Sequence, residues 1–99
     1  MTVLTSTAGQ KGLPRYFSQA FATISKMGRG RLDFRLPDGR TFRAEGKKPG
    51  PAVMIEVHNP DLFARLIRDG DLGFCDAYLD GWWSTADLLG FMDLIQMEN

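Results

Sequence analysis

The sequence predicts an α+β fold: an N-terminal helix, a three-stranded antiparallel sheet, then three helices. Three observations carry this prediction. Apolar residues recur at spacings of three and four from Leu13 to Met27. Apolar and charged residues then alternate strictly on both sides of Pro37-Asp38-Gly39. From Asn59 onward, segments of helical period are separated by glycine.

Residues 1–12 are polar and have neither a basic start nor an apolar block. They read as a flexible tail ahead of one small domain over 13–99. The first helix presents Leu13, Phe17, Ala20, Phe21, Ile24 and Met27 on one face, with Pro14 in its first turn and Gly28 at its stop. In the hairpin, Leu32, Phe34 and Leu36 face one way and Arg31, Asp33 and Arg35 the other. Beyond the Asp-Gly turn, Phe42 and Ala44 alternate with Thr41, Arg43 and Glu45. Gly46 to Pro51 reads as a loop, and the nearly continuous apolar run Ala52 to Val57 as a third strand with more of both faces covered.

Asn59-Pro60-Asp61 opens the second helix with a cap, a proline at the first helical position and an acid at the positive end of the dipole. Leu62, Phe63, Leu66 and Ile67 form its buried stripe, and Gly70 ends it. Asp71 caps a short helix through Leu79, with Leu72, Cys75, Tyr78 and Leu79 on one side and Gly81 as its stop. Ser84 or Thr85 caps the last helix, with Asp87 in its first turn.

In that last helix Leu88, Leu89, Phe91, Met92, Leu94, Ile95 and Met97 leave only a narrow polar strip. A helix apolar on most sides must be buried on most sides. Either it lies in the core, or its outer face meets more protein, from a C-terminal part or a second copy of the chain. Trp82, Trp83, Phe91 and Leu94 are the candidate contact residues. Adjacent in sequence, the two tryptophans cannot point the same way along an extended link. One closes the core and the other lies across a neighbouring surface.

With 43% apolar residues the composition is ordinary for a globular domain. No apolar run approaches the ~20 residues of a spanning helix. One cysteine and one histidine exclude an internal disulfide and leave little for a metal. The expected location is the cytoplasm. Net charge is zero but uneven: residues 26–51 hold eight bases and three acids, residues 52–99 two bases and nine acids. Such asymmetry marks an anionic partner for the basic part, or attraction between the halves.

Arg31, Arg35 and Arg43 on the polar face of the hairpin, with Lys47 and Lys48 in the next loop, are the candidate lipid-surface residues. Each base near an anionic leaflet contributes about 1 kcal/mol, enough for five to hold a peripheral protein weakly. The competing reading is a solvated sheet face on which Asp33 and Glu45 pair with these bases. Phe34 and Phe42 point inward, so no stacking platform accompanies the charges, and nucleic acid is not an expected partner.

No catalytic, cofactor-binding or metal-binding residue is expected in the chain. A cofactor-cradling Gly-rich turn follows a strand and opens a helix, whereas Gly28-Arg29-Gly30 follows a helix and opens a strand. Cys75 reads as a small apolar-side residue, and His58 as a strand-end residue. Asp76 and Asp80 read as solvated acids near a helix end.

Asn59-Pro60-Asp61-Leu62-Phe63, Gly70-Asp71-Leu72-Gly73-Phe74, Ala77-Tyr78-Leu79-Asp80-Gly81-Trp82-Trp83 and Thr85-Ala86-Asp87-Leu88, with Leu36-Pro37-Asp38-Gly39 upstream, together resemble the N-terminal domain of cyclopropane-fatty-acyl-phospholipid synthases. Cys75 and Ala86 depart from the family's usual small residue and proline. The resemblance implies a small domain that precedes a Rossmann-type methyltransferase domain. That larger domain binds S-adenosylmethionine and transfers a methylene group to a cis double bond of a membrane phospholipid; some relatives transfer methyl. None of its catalytic positions falls in this chain, so no cofactor is expected in this segment. The small domain is then a lipid-docking accessory, related to sterol-carrier folds and peripheral at the inner membrane surface. Its partners would be the methyltransferase domain or a partner chain, an anionic phospholipid surface, or another copy in a homo-oligomer. The alternative is a free-standing lipid-binding or protein-interaction module without catalytic activity.

Overall fold

A computed structural model describes residues 3–26 and 28–97. The elements are β1 (Val3–Leu4), α1 (Phe17–Ile24), β2 (Arg29–Arg35), β3 (Thr41–Glu45), β4 (Lys48–Val57), α2 (Leu62–Leu79), β5 (Trp83–Ser84) and α3 (Leu88–Met97). Met27 lies outside the described residues, as do the side chains of Asp71, Ile95, Gln96 and Met97.

The sheet corrects the prediction. It is five-stranded and mixed, in the order β1-β3-β2-β4-β5, rather than three-stranded and antiparallel. The β2–β3 hairpin is antiparallel, with Phe34 opposite Phe42 and Asp33 opposite Arg43. β4, however, pairs in parallel with the far edge of β2, placing Leu32 beside Val53 and Phe34 beside Ile55. β1 lies parallel to β3, and β5 antiparallel to the end of β4. Strands of two residues, such as β1 and β5, leave no alternation to detect.

The predicted loop after β3 is where the chain crosses the start of β2. Gly46 donates its N–H to the Gly30 carbonyl at 2.8 Å, and Lys48 donates to Gly28 at 3.1 Å. A Cβ on Gly46 would stand 2.5 Å from the Arg29 nitrogen, and one on Gly30 would stand 2.7 Å from the Pro51 carbonyl oxygen. The crossing is therefore backbone laid on backbone, which only glycine permits.

Helices cover one face of the sheet. Phe17, Ala20 and Phe21 of α1, Leu62, Phe63, Phe74 and Ala77 of α2, and Phe91 and Leu94 of α3 form one buried cluster with Leu32, Phe34, Phe42, Ala44, Val53, Ile55 and Val57. Phe17 sits among rings, 4.7 Å from Phe63 and 4.9 Å from Phe42 between centroids, both edge-on. Helix α1 begins later than its apolar stripe predicts, because Tyr16 takes a left-handed φ of 66°.

α2 is broken where the glycine signal stood, so the described residues form four helical segments. Gly70 has φ 66° and ψ −149°, a region essentially confined to glycine. Nothing lies within 4 Å of a Cβ built there. Gly70→Ala is therefore expected to cost about 1–3 kcal/mol through backbone strain alone, read as a lowered urea midpoint with an unchanged m-value.

The last helix is capped differently from the prediction. Ser84 belongs to β5, opposite Glu56. Asp87 accepts the Gly90 N–H at 2.9 Å on its side chain and the Phe91 N–H at 3.0 Å on its carbonyl, so Asp87 is the cap.

Candidate functional site

The helix-free face of the sheet carries the predicted basic residues. Asp33 lies at its centre, only 3% exposed. Arg43, its partner across the hairpin, grips both carboxylate oxygens at 3.1 and 3.3 Å. Arg31 lies over the same carboxylate at 3.7 Å. Strand alternation turns Asp33 outward; the stems of two arginines then cover it. This pairing raises the Arg43 pKa, chiefly through the hydrogen bond that the guanidinium donates to Asp33. Arg35 faces Glu56 at 3.7 Å, and Arg31 stands opposite Glu45. The three arginines thus share their face with three acids in register.

Lys47 and Lys48 differ. They are exposed at the chain crossing, and neither side chain forms an ion pair among the described residues. Arg29 stands beside Lys48 in the ladder, and Lys26 is exposed just upstream. Lys47 and Lys48 thus place at this end positive charge that no acid among the described residues pairs.

The opposite end of β2 borders a cleft of about 350 Å³ lined by Arg35, Pro37, Glu56 and His58. The His58 ring nitrogen Nε2 lies 2.7 Å from the Ser84 hydroxyl, pinning β4 to β5. Arg40, in the turn, donates to the carbonyls of Lys11 and Gly12 at 2.8 and 3.1 Å, which ties the N-terminal segment to the hairpin. Arg40 also hydrogen-bonds Asp38 and lowers its pKa.

The tryptophans divide the two roles. Trp83 is buried, donates its indole N–H to the Phe74 carbonyl at 2.8 Å and stacks on the Phe74 ring at 4.4 Å. Trp82 is half-buried beneath the Arg65 guanidinium, 4.8 Å from the ring centroid. Phe91 and Leu94 are buried.

Between α2 and α3 an apolar groove of about 260 Å³ opens to solvent. Trp83 and Phe91 form its floor; Cys75, Tyr78 and Leu79 line it from α2, and Leu88 and Met92 from α3. Leu79 in its wall is 80% exposed, and on the same two helices Leu72 is 79% and Leu89 80% exposed. Of the predicted stripe, Leu72, Cys75 and Leu79 face outward while Tyr78 is half-buried against Trp83, because Phe74 and Ala77 occupy the core side of the same helix. That second stripe, one residue out of phase, was the signal available in the sequence.

Asp80 is bound by Arg65 at 2.8 Å, and Asp76 is exposed. Gly28 to Gly30 serve the chain crossing. Among the described residues no group of His, Cys, Asp and Glu could hold a metal ion. No helix among them is long and apolar enough to cross a membrane.

No family model matches the chain, and no solved structure matches it. The likeness that exists is local and points to one class of protein, the cyclopropane-fatty-acyl-phospholipid synthases. The synthase of Escherichia coli K12 is 52% identical over 34 residues, which is 34% of this chain and 9% of that enzyme. The synthase of E. coli O6:H1 gives the same identity and coverage. The match thus spans under a tenth of the curated relatives' length.

Proposed function

We propose that this chain is the lipid-docking accessory part of a cyclopropane-fatty-acyl-phospholipid synthase-like enzyme. A methyltransferase domain or partner chain would bind S-adenosylmethionine and transfer a methylene or methyl group to unsaturated acyl chains of phospholipid. The observation that carries this reading is the 52% identity over 34 residues. Docking would take place at the inner, cytoplasmic membrane surface through Lys47 and Lys48, with Arg29 beside them. Arg31, Arg35 and Arg43 would add less, since acids already face them.

The test is sedimentation with anionic and neutral phospholipid vesicles. Binding is expected to the anionic vesicles only. Lys47→Gln with Lys48→Gln should remove about 2 kcal/mol, roughly a thirtyfold loss of partitioning at low salt. Equal or absent binding to both vesicle types removes lipid docking from the function. In calorimetry, S-adenosylmethionine added to this chain alone should give no binding heat; clear saturable heat would overturn the accessory role.

A second reading, a free-standing protein-interaction module, is favoured by the open apolar groove between α2 and α3. Under that reading vesicles of both kinds leave the chain in the supernatant.

A further inference from the structure

Given docking to an anionic leaflet, the reading proposed above, we infer that the basic corner at the chain crossing selects a phosphomonoester headgroup, the form borne by phosphatidate. The phosphodiester of other anionic phospholipids is the poorer ligand.

The first support is where unpaired positive charge stands. Arg31, Arg35 and Arg43 each meet a carboxylate. Lys26, Lys47 and Lys48 are exposed and form no ion pair among the described residues. The acids on neighbouring elements, Glu45 at the end of β3 and Asp93 of α3, are exposed and leave these lysines unpaired.

The second support is that three segments of chain meet at this corner. Lys26 follows the end of α1, Arg29 opens β2, and Lys47 and Lys48 arrive with the crossing strand. Lys48 donates its backbone N–H to the Gly28 carbonyl at 3.1 Å, and it pairs with Arg29 in the ladder. Gly46 is bonded to Gly30 at 2.8 Å, with no room for a Cβ between the strands. Backbone contacts thus fix where the bases start, unlike those of a polybasic tail.

The chemistry of lysine names the headgroup. An ammonium is a compact point charge with three donors and no acceptor, so several can share one phosphate. A phosphodiester offers them a single negative charge. A phosphomonoester offers three terminal oxygens and a charge of about −1.5 to −2 near neutral pH. Bases held at one place gain most from charge concentrated on one group. A mobile basic tail reads only the average potential of the leaflet.

The probe is sedimentation of the full chain with phosphatidylcholine vesicles that carry either phosphatidate or phosphatidylglycerol, matched in surface potential at each pH. Phosphatidylethanolamine in the phosphatidylglycerol vesicles matches the small headgroup of phosphatidate. At about pH 7.5 and low salt, partitioning onto phosphatidate is expected to be about fivefold or more tighter. At about pH 5, below the second ionisation of the monoester, the preference should fall below about twofold. Phosphatidylglycerol keeps one charge over this interval, so its vesicles read any titration of the protein itself. Lys26→Gln should weaken phosphatidate binding about fivefold. Lys11→Gln, which removes the same charge from the exposed N-terminal segment, should leave it unchanged. Both positions are exposed, and unchanged circular dichroism checks that the fold is kept.

Equal partitioning at matched potential would overturn the inference and leave general anionic docking standing. So would a preference that persists at the lower pH, or equal losses from Lys26→Gln and Lys11→Gln. Absence of binding to either kind of vesicle would overturn both the headgroup preference and the docking.

Discussion

Gly30→Ala is expected to cost about 2–5 kcal/mol, a large part of the stability of so small a chain. Two costs meet at this residue. Its φ is +77°, where a side chain adds roughly 1–2 kcal/mol of strain. The new Cβ would also stand 2.5 Å from Leu94 Cδ1 and 2.7 Å from the Pro51 carbonyl oxygen. The leucine methyl can move, but the Pro51 backbone belongs to the crossing strand and cannot move without tearing β4 from β2. Overpacking of this kind costs about 1–3 kcal/mol or more, against a total stability of roughly 5–15 kcal/mol for a chain this size. Gly39→Ala is the matched control. Gly39 also has positive φ, at 96°, but nothing lies within 4 Å of its Cβ position. It should cost only the strain. Thermal melts that rank the two variants equally would contradict this account of the crossing.

Trp83→Ala is expected to cost about 3–5 kcal/mol, the range for emptying a large aromatic site. The loss has three parts. The ring leaves a stack with Phe74 and contacts with Tyr78 and Phe91. The Phe74 carbonyl loses its indole donor. The space opens toward the groove, so α2 and α3 lose the wedge that separates them. Trp83→Phe should recover part of the packing but not the hydrogen bond, leaving an intermediate urea midpoint. Fluorescence separates the two indoles. Trp82→Phe should leave the blue-shifted emission of buried Trp83, whereas Trp83→Phe should leave the redder emission of half-buried Trp82.

Local signals were the legible ones. The Asp-Gly turn between alternating runs located β2 and β3 and their register. The stripe of Phe17, Ala20 and Phe21 located α1, and Gly70 marked the break in α2. The pairing of β4 with β2 was not legible, because a short link after a hairpin ordinarily returns the chain to the nearer strand. Here Gly30, Gly46 and Gly50, none with room for a Cβ, let it pass over the start of β2 instead. The burial of Asp33 was hidden for a similar reason: it depends on the two arginines that cross-strand register and side-chain reach bring over it. At the candidate surfaces, the hairpin's basic residues and the acids Asp33 and Glu45 among them could be read by alternation, but not Glu56, which meets Arg35 from β4. The apolar groove was half legible. The greasy last helix announced an unmet surface, yet Trp83, Phe91 and Leu94 are buried while Leu72, Leu79, Leu89 and Met92 form the exposed part.

β4 is ten residues long, yet β5 pairs only with Glu56 and Val57. Much of its outer border could therefore serve as a template on which a stray strand grows. Pro49 and Pro51 stand in its first turns, and Lys47 and Lys48 charge its beginning. Proline and lysine are the means by which natural sheets discourage fibril growth. The bases assigned to lipid docking would then have a second office, keeping crowded molecules of this chain from zipping together edge to edge.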